Sequence, residues 1–255
     1  MALQILTIPC RTDNYAYLAR DPASGAVMAV DVPEAAPLLD ALDAADWRLT
    51  DVLLTHHHHD HVEGLAALLA RAPARVIGAA ADSHRLPPLD IAVSEGDTIQ
   101  IGTETGRVID VSGHTVGHIA VHFPDSAAAF TADSLMALGC GRVFEGTMPQ
   151  MHQSLAKLAA LPPETLIYSG HEYTEKNAAF ARGIDPGNAR LAARAGEISR
   201  TRSASDPTVP VALSEELATN PFLRADDPGI RAHLGMETAT DTEVFGEIRT
   251  RKDRF

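Results

Sequence analysis

Five of the twelve histidines fall within seven residues, Thr55-His56-His57-His58-His59-Asp60-His61. With 12 His and 20 Asp in 255 residues, the spacing His-x-His-x-Asp-His carried by His56, His58, Asp60 and His61 has a chance expectation on the order of two in a thousand per chain. Imidazole suits zinc, iron and manganese, whereas carboxylates suit hard cations. A mixed set therefore points to a catalytic metal centre with an open position, because a closed structural zinc site would normally use cysteines. Three later segments offer further donors: His114 in Gly113-His114-Thr115-Val116-Gly117-His118, Asp133 in Thr131-Ala132-Asp133-Ser134, and His171 in Ser169-Gly170-His171-Glu172-Tyr173. Seven ligands are too many for one tetrahedral ion and suit two divalent cations that share a carboxylate. Asp60 and Asp133 beside the histidines argue for a site that keeps water on the metal. A water bridging two cations about 3.5 to 4 Å apart loses a proton near neutral pH and becomes the nucleophile. The expected chemistry is hydrolysis by a metal-bound hydroxide, with Asp60 and Asp133 as its catalytic carboxylates.

Such ligands need rigid supports, and the pattern supplies them. Each candidate follows a predicted strand: 51–55 before His56, 107–111 before His114, 128–131 before Asp133 and 166–169 before His171. Other strands are expected over 3–9, 15–19, 26–31, 75–78, 98–101 and 119–123, with helices over 34–46, 61–71 and 150–161. Strand-rich stretches with helices at both ends suggest two sheets with helices packed outside, an α+β fold of αββα layering. Beyond His171 the pattern reads as helix only, over 174–182, 188–202 and shorter pieces broken by Asp206-Pro207, Asn220-Pro221 and Asp227-Pro228. A boundary near 171–175 is expected, dividing a catalytic domain of residues 1–172 from a small all-helical domain of residues 173–255.

The order His56-x-His58-x-Asp60-His61, His114, Asp133 and His171 resembles the metallo-β-lactamase superfamily. Thr12-Asp13-Asn14-Tyr15, Gly139-Cys140-Gly141-Arg142, Gly170-His171-Glu172-Tyr173-Thr174, Asn220-Pro221-Phe222-Leu223-Arg224 and Arg249-x-x-Lys252-Asp253 narrow the likeness to the glyoxalase II family, the hydroxyacylglutathione hydrolases. The resemblance spans nearly the whole chain, helical tail included. It implies that His56, His58 and His114 bind one metal, that Asp60, His61 and His171 bind the second, and that Asp133 bridges them. It also implies zinc, with iron or manganese as alternatives, and S-D-lactoylglutathione as substrate, the second step of methylglyoxal detoxification. Arg142, Tyr173, Arg249 and Lys252 fall on the family's glutathione-holding positions. Phe144 stands where the family often has Tyr, so one hydroxyl contact to the peptide is missing.

Composition bounds the alternatives. A formal charge of -13 disfavours nucleic acid as a partner, since phosphate binding needs a basic face. No apolar run approaches the roughly 18 residues of a membrane span, the first residues lack a basic leader, and two cysteines are too few for a disulfide framework. The expectation is a cytoplasmic monomer acting on a glutathione thioester, with no nucleic-acid or membrane partner. A persulfide dioxygenase of the same superfamily is the nearest rival, and a metal buffer or non-catalytic glutathione-conjugate binder is the rival from another class. His57, His59 and His118 read as supports for the ligands, and Cys140 as a packing residue.

Overall fold

Continuous apolar strings such as Val27–Val30 and the strand ending at Leu54 cannot face water on either side, and each becomes a strand buried along its length. The computed structural model of the protein describes residues 2–255. The chain divides into two units, one running to Asp110 and including Val116–Ala132, the other made of Val111–Thr115 and Asp133–Phe255.

The first unit contains β1 (Gln4–Cys10), β2 (Asn14–Arg20), β3 (Val27–Val30), α1 (Ala35–Ala45), β4 (Asp51–Leu54), α2 (His59–Val62), α3 (Leu65–Arg71), β5 (Arg75–Ala79), β6 (Ile91–Val93), β7 (Thr98–Ile101), β8 (Glu104–Asp110), β9 (Ile119–Phe123) and β10 (Ala128–Ala132). One sheet has the order β1-β2-β3-β4-β5-β6. Its first three strands are antiparallel, and β3 to β6 run parallel. Parallel strands leave their carboxyl ends along one edge, which is where loops gather functional residues. Leu38 and Leu42 of α1 and Leu65 and Leu68 of α3 close the outer face, packing with Leu18, Ala29, Val52 and Leu54 in a single core cluster. Strands β7 to β10 form an antiparallel run. Tyr17 of β2 meets Phe130 of β10 with ring centroids 5.6 Å apart, so the two sets of strands pack face to face.

The second unit contains β11 (Leu135–Met136), β12 (Gly139–Cys140), α4 (Met148–Ala159), β13 (Leu166–Ser169), α5 (Thr174–Ile184), α6 (Ala189–Ser203), β14 (Val211–Ala212), α7 (Leu213–Thr219), α8 (Pro228–Leu234) and α9 (Asp241–Arg254). Thr147 with Gln150 and Thr240 with Glu243 form capping boxes at the starts of α4 and α9. Leu138, Ala178, Ala181, Leu191 and Ile198 form a core cluster that ties α5 and α6 to the loop between β11 and β12. Among the described residues no helix is long and apolar enough to cross a membrane.

Two sequence expectations change. The helix expected over 61–71 is broken into α2 and α3 at Gly64, where a Cβ would sit 2.8 Å from the backbone of Glu34 and Ala35. That close approach excludes a side chain at the break, and it is a tertiary contact that periodicity does not carry. The stretch beyond His171 is not helix only: β14 pairs antiparallel with β13, Leu166 opposite Ala212 and Ile167 opposite Val211. Pro207 and Pro210 precede it, and proline both lacks an N–H and holds its neighbour extended.

Candidate metal centre

In the first unit the buried strand β4 delivers Thr55 and then the histidine run. Thr55 donates from its backbone N and its Oγ1 to the Asp31 carboxylate at 2.9 and 2.8 Å. Asp31 follows β3, the parallel neighbour of β4, and adopts a left-handed φ of 56° that a branched side chain would resist. The same carboxylate accepts from His61 Nδ1 at 2.7 Å, which fixes that ring's tautomer and makes Nε2 its basic nitrogen. His56 Nε2 lies 3.1 Å from His58 Nδ1. The Asp60 carboxylate accepts from Asn14 Nδ2 at 3.0 Å, and its Oδ2 is 3.8 Å from His61 Nε2. Donor atoms of Asp31, His56 and His61, all three buried, lie within 4.8 Å of one another. His118 is buried and stacks on His56 with centroids 4.6 Å apart. Asp31 itself was not legible as a site residue. Its signal is position: an acid at the carboxyl end of the strand beside β4.

In the second unit Asp133 emerges directly after Ala132, which is held at φ 40°, an unfavourable value for a residue with a Cβ. Asp133 Oδ2 stands 3.4 Å from His114 Nε2 and 3.3 Å from His171 Nε2. His114 Nδ1 donates to the Arg142 carbonyl at 2.7 Å, which makes Nε2 the basic nitrogen of that ring, the one that could serve as a ligand. A carboxylate oxygen facing two imidazole nitrogens is a donor set that suits a shared ligand, and buried imidazoles held through their other nitrogen fit divalent cations.

The expected substrate contacts all lie in this second unit. Tyr173 stacks flat on His171, with centroids 4.7 Å apart and 5° between planes. Phe144 is 60% exposed and meets His114 edge-on at 5.3 Å, with the Arg142 guanidinium 5.7 Å over its ring. Arg142 also donates to Asp253 at 3.0 Å. Arg249 differs from the projecting grip that a surface charge run suggests: only 4% exposed, it donates to the Cys140 carbonyl at 2.8 Å and to Asp253 at 3.1 Å. It braces the segment that delivers Arg142. The Lys252 ammonium lies 5.0 and 5.1 Å from the ring centroids of Phe180 and Phe255. Burial, with Arg249 and Lys176 nearby, pulls its pKa down from 10.5 to about 8. Cys140 is fully enclosed and burial pushes its thiol up to about 11, so it is a packing residue and not a nucleophile.

Residues 21–171 match the model of the metallo-beta-lactamase superfamily, and residues 172–255 match that of the hydroxyacylglutathione hydrolase C-terminus. A hydroxyacylglutathione hydrolase from Cereibacter sphaeroides is 60% identical over 255 residues, covering all of both chains. The chain belongs to the hydroxyacylglutathione hydrolase family. Another relative of that name, from a Jannaschia species, is 61% identical over 252 residues, covering 99% of this chain and 98% of its own. Among solved structures, ETHE1 from Myxococcus xanthus superposes with a TM-score of 0.58 at 28% identity, covering 89% of this chain and 99% of that one. The B3 metallo-beta-lactamase BLEG-1 superposes with a TM-score of 0.67 at 20% identity, covering 86% and 99%, and shares the fold. The chain is thus a metal-dependent thioester hydrolase of the glyoxalase II type, on a metallo-β-lactamase fold followed by a helical C-terminal part.

Phe144→Tyr is expected to lower KM for S-lactoylglutathione by the equivalent of about 0.5 to 1.5 kcal/mol, the net worth of one hydrogen bond, with kcat unchanged. The exposed ring edge leaves room for the hydroxyl. An unchanged KM in steady-state assays would remove Phe144 from the peptide contacts.

Proposed function

We propose that this hydrolase cleaves S-D-lactoylglutathione to D-lactate and glutathione at a binuclear centre, with His56, His58 and His114 holding one cation, Asp60, His61 and His171 the other, and Asp133 shared between them. The observation that carries the reading is the single Asp133 oxygen set 3.4 and 3.3 Å from two imidazole nitrogens. A family model that runs unbroken through residues 21–171, and so through all seven donors, supports it. Two divalent cations bound there would lower the pKa of a water between them and polarise the thioester carbonyl.

The chain's own groups do the rest. Asp31 and the Arg142 carbonyl hold His61 and His114 through Nδ1, so that Nε2 of each ring would be its ligand atom. Tyr173 and Phe144 flank His171 and His114, and Arg142 and Lys252 offer cations to a net anionic thioester that approaches a protein of charge -13. A thiolate whose conjugate acid has a pKa near 8.5 leaves without a strong general acid, which agrees with a site built of ligands rather than of a Ser-His-Asp triad. The reading takes zinc as the metal, with iron or manganese as substitutes, residues 173–255 as the glutathione-holding domain, and a cytoplasmic monomer. Hydrolysis across a panel of S-acylglutathiones, with metal analysis of the same sample, tests it. Full turnover with one ion per chain would overturn the binuclear centre, and oxygen uptake with glutathione persulfide would overturn the hydrolase.

The depressed Lys252 gives a pH signature. Below about 8 the ammonium is charged and attracts glutathione carboxylates; above it the charge is lost, so KM for S-lactoylglutathione is expected to rise between pH 7.5 and 9. Arginine stays charged throughout this range, so Lys252→Arg should flatten that rise. A KM profile identical in wild type and variant would take Lys252 out of the substrate contacts.

A further inference from the structure

His57 lies between two ligands of the proposed centre and points elsewhere. Its Nδ1 is 2.8 Å from Oδ2 of Asp82, a carboxylate with no exposed side-chain surface. Asp82 closes the short helical turn after β5, and its other oxygen accepts from Arg85 Nε. Arg85 then donates from Nη2 to the carbonyl of Val116 at 2.8 Å. The next residue, Gly117, has φ 97°, and a Cβ there would sit 2.9 Å from the Asp82 Cβ, so only glycine lets this turn lie against the carboxylate. The turn leads straight into His118, whose ring stacks on His56, and Ile119 N donates to Thr55 O at 3.0 Å. One buried carboxylate therefore gathers His57, Arg85 and the 116–117 turn, and the histidine run is tied to it twice, directly at His57 and through the 116–119 segment at Thr55 and His56.

We propose that Asp82 is a positioning residue for the metal-ligand loop: it holds His57 and, through Arg85, the Val116–Gly117 turn, so that His56 and His58 are preset before a cation arrives. The His57 ring held by Asp82 also meets the His58 ring edge-on, with centroids 5.1 Å apart, and His58 Nδ1 lies 3.1 Å from His56 Nε2, so anchoring the middle ring bears on both of its neighbours. A fully buried carboxylate is stable only with its donors in place, and this makes the anchor cooperative: His57, Arg85 and Asp82 lose their function together. Partners behind metal ligands typically govern affinity by about 10- to 100-fold.

The inference rests on the reading of His56 and His58 as ligands, and the test separates the two. Zinc affinity is measured on the full chain by competition with a chelator, beside circular dichroism of the metal-free protein to establish that it is folded. Asp82→Asn, which cannot hold both Arg85 and His57 as an anion, should bind zinc about 10- to 100-fold more weakly, with kcat little changed once zinc is saturating. His57→Gln keeps a donor for Asp82 and should lose less than His57→Leu. The double variant Asp82→Asn/His57→Leu should be no weaker than the worse single one, because both remove the same contact. Unchanged zinc affinity in folded Asp82→Asn, or losses that simply add, would overturn the proposal. If Asp82→Asn does not fold, the His57 pair decides: equal affinities of the Gln and Leu variants would overturn it. A wild-type chain that binds no zinc, iron or manganese would instead overturn the ligand reading.

Discussion

Asp133→Ala is expected to lower kcat for S-lactoylglutathione by on the order of 10³-fold, more than any other single ligand replacement, and to reduce the metal content from about two ions per chain to one or none. The reason is its position between His114 and His171, with one oxygen 3.4 and 3.3 Å from their ring nitrogens. A terminal ligand can be replaced by water at one ion. A shared carboxylate is also the negative charge that screens two cations from each other, and its removal leaves their mutual repulsion uncompensated. Asp133→Asn keeps the shape and one neutral oxygen and should fall between the two. Chelation of wild type should abolish hydrolysis and metal addition should restore it, whereas added metal should not rescue Asp133→Ala. Metal analysis and steady-state kinetics on one preparation decide it. Two ions per chain with near wild-type turnover in Asp133→Ala would sink the shared-carboxylate reading.

The histidine run stands out in the sequence because its chemistry is local: four candidate donors in six residues, at the end of a strand whose apolar run is unmistakable. The groups that orient those donors do not. Asp31 meets His61 across 30 residues and Asp82 meets His57 across 25, through strand pairings that spacing does not encode. An isolated acid at a strand end has no pattern of its own. The fold shows the same division. Most long strands and helices appeared where periodicity put them, the break between α2 and α3 and the 14-residue α9 excepted, while the short β6, β11, β12 and β14 are below the length at which alternation is readable. Arg249 marks the sharpest contrast. In sequence it belongs to a basic tail and reads as solvated or substrate-gripping; in the fold, α9 turns it inward beneath Phe222, where it holds a backbone carbonyl. Helix facing, set by Val244, Phe245 and Ile248 on the buried side, decides its environment, and charge alone did not reveal it.

Glu216→Ala is expected to destabilise the protein by about 3 to 5 kcal/mol and to impair substrate binding, although Glu216 belongs to no motif that chemistry would single out. Its side chain in α7 is fully buried and accepts from Leu138 N at 2.9 Å, from Asn220 Nδ2 at 2.8 Å and from the Arg194 guanidinium. Asn220 in turn donates to the carbonyls of Met136 and Gly139 at 3.2 and 3.0 Å. The loop between β11 and β12 is thereby held from below by α6 and α7, and it leads through Cys140 and Gly141 to Arg142, whose carbonyl orients His114. Alanine would leave the Arg194 cation buried without its counter-charge and the Leu138 N–H without an acceptor, and both costs fall on the folded state alone. At about 2 to 4 °C per kcal/mol for a chain of this size, thermal unfolding should come roughly 6 to 20 °C earlier. Glu216→Gln keeps an acceptor for Leu138 and should lose less. Because the loop delivers Arg142, KM for S-lactoylglutathione should rise in Glu216→Gln well below its unfolding temperature, while a small neutral thioester should be hydrolysed at the wild-type rate. Unfolding curves and the two substrates, compared at 20 °C, separate the effects. A variant with lowered stability but unaltered KM would show that Glu216 supports the helices only, and that the β11–β12 loop holds its shape without them.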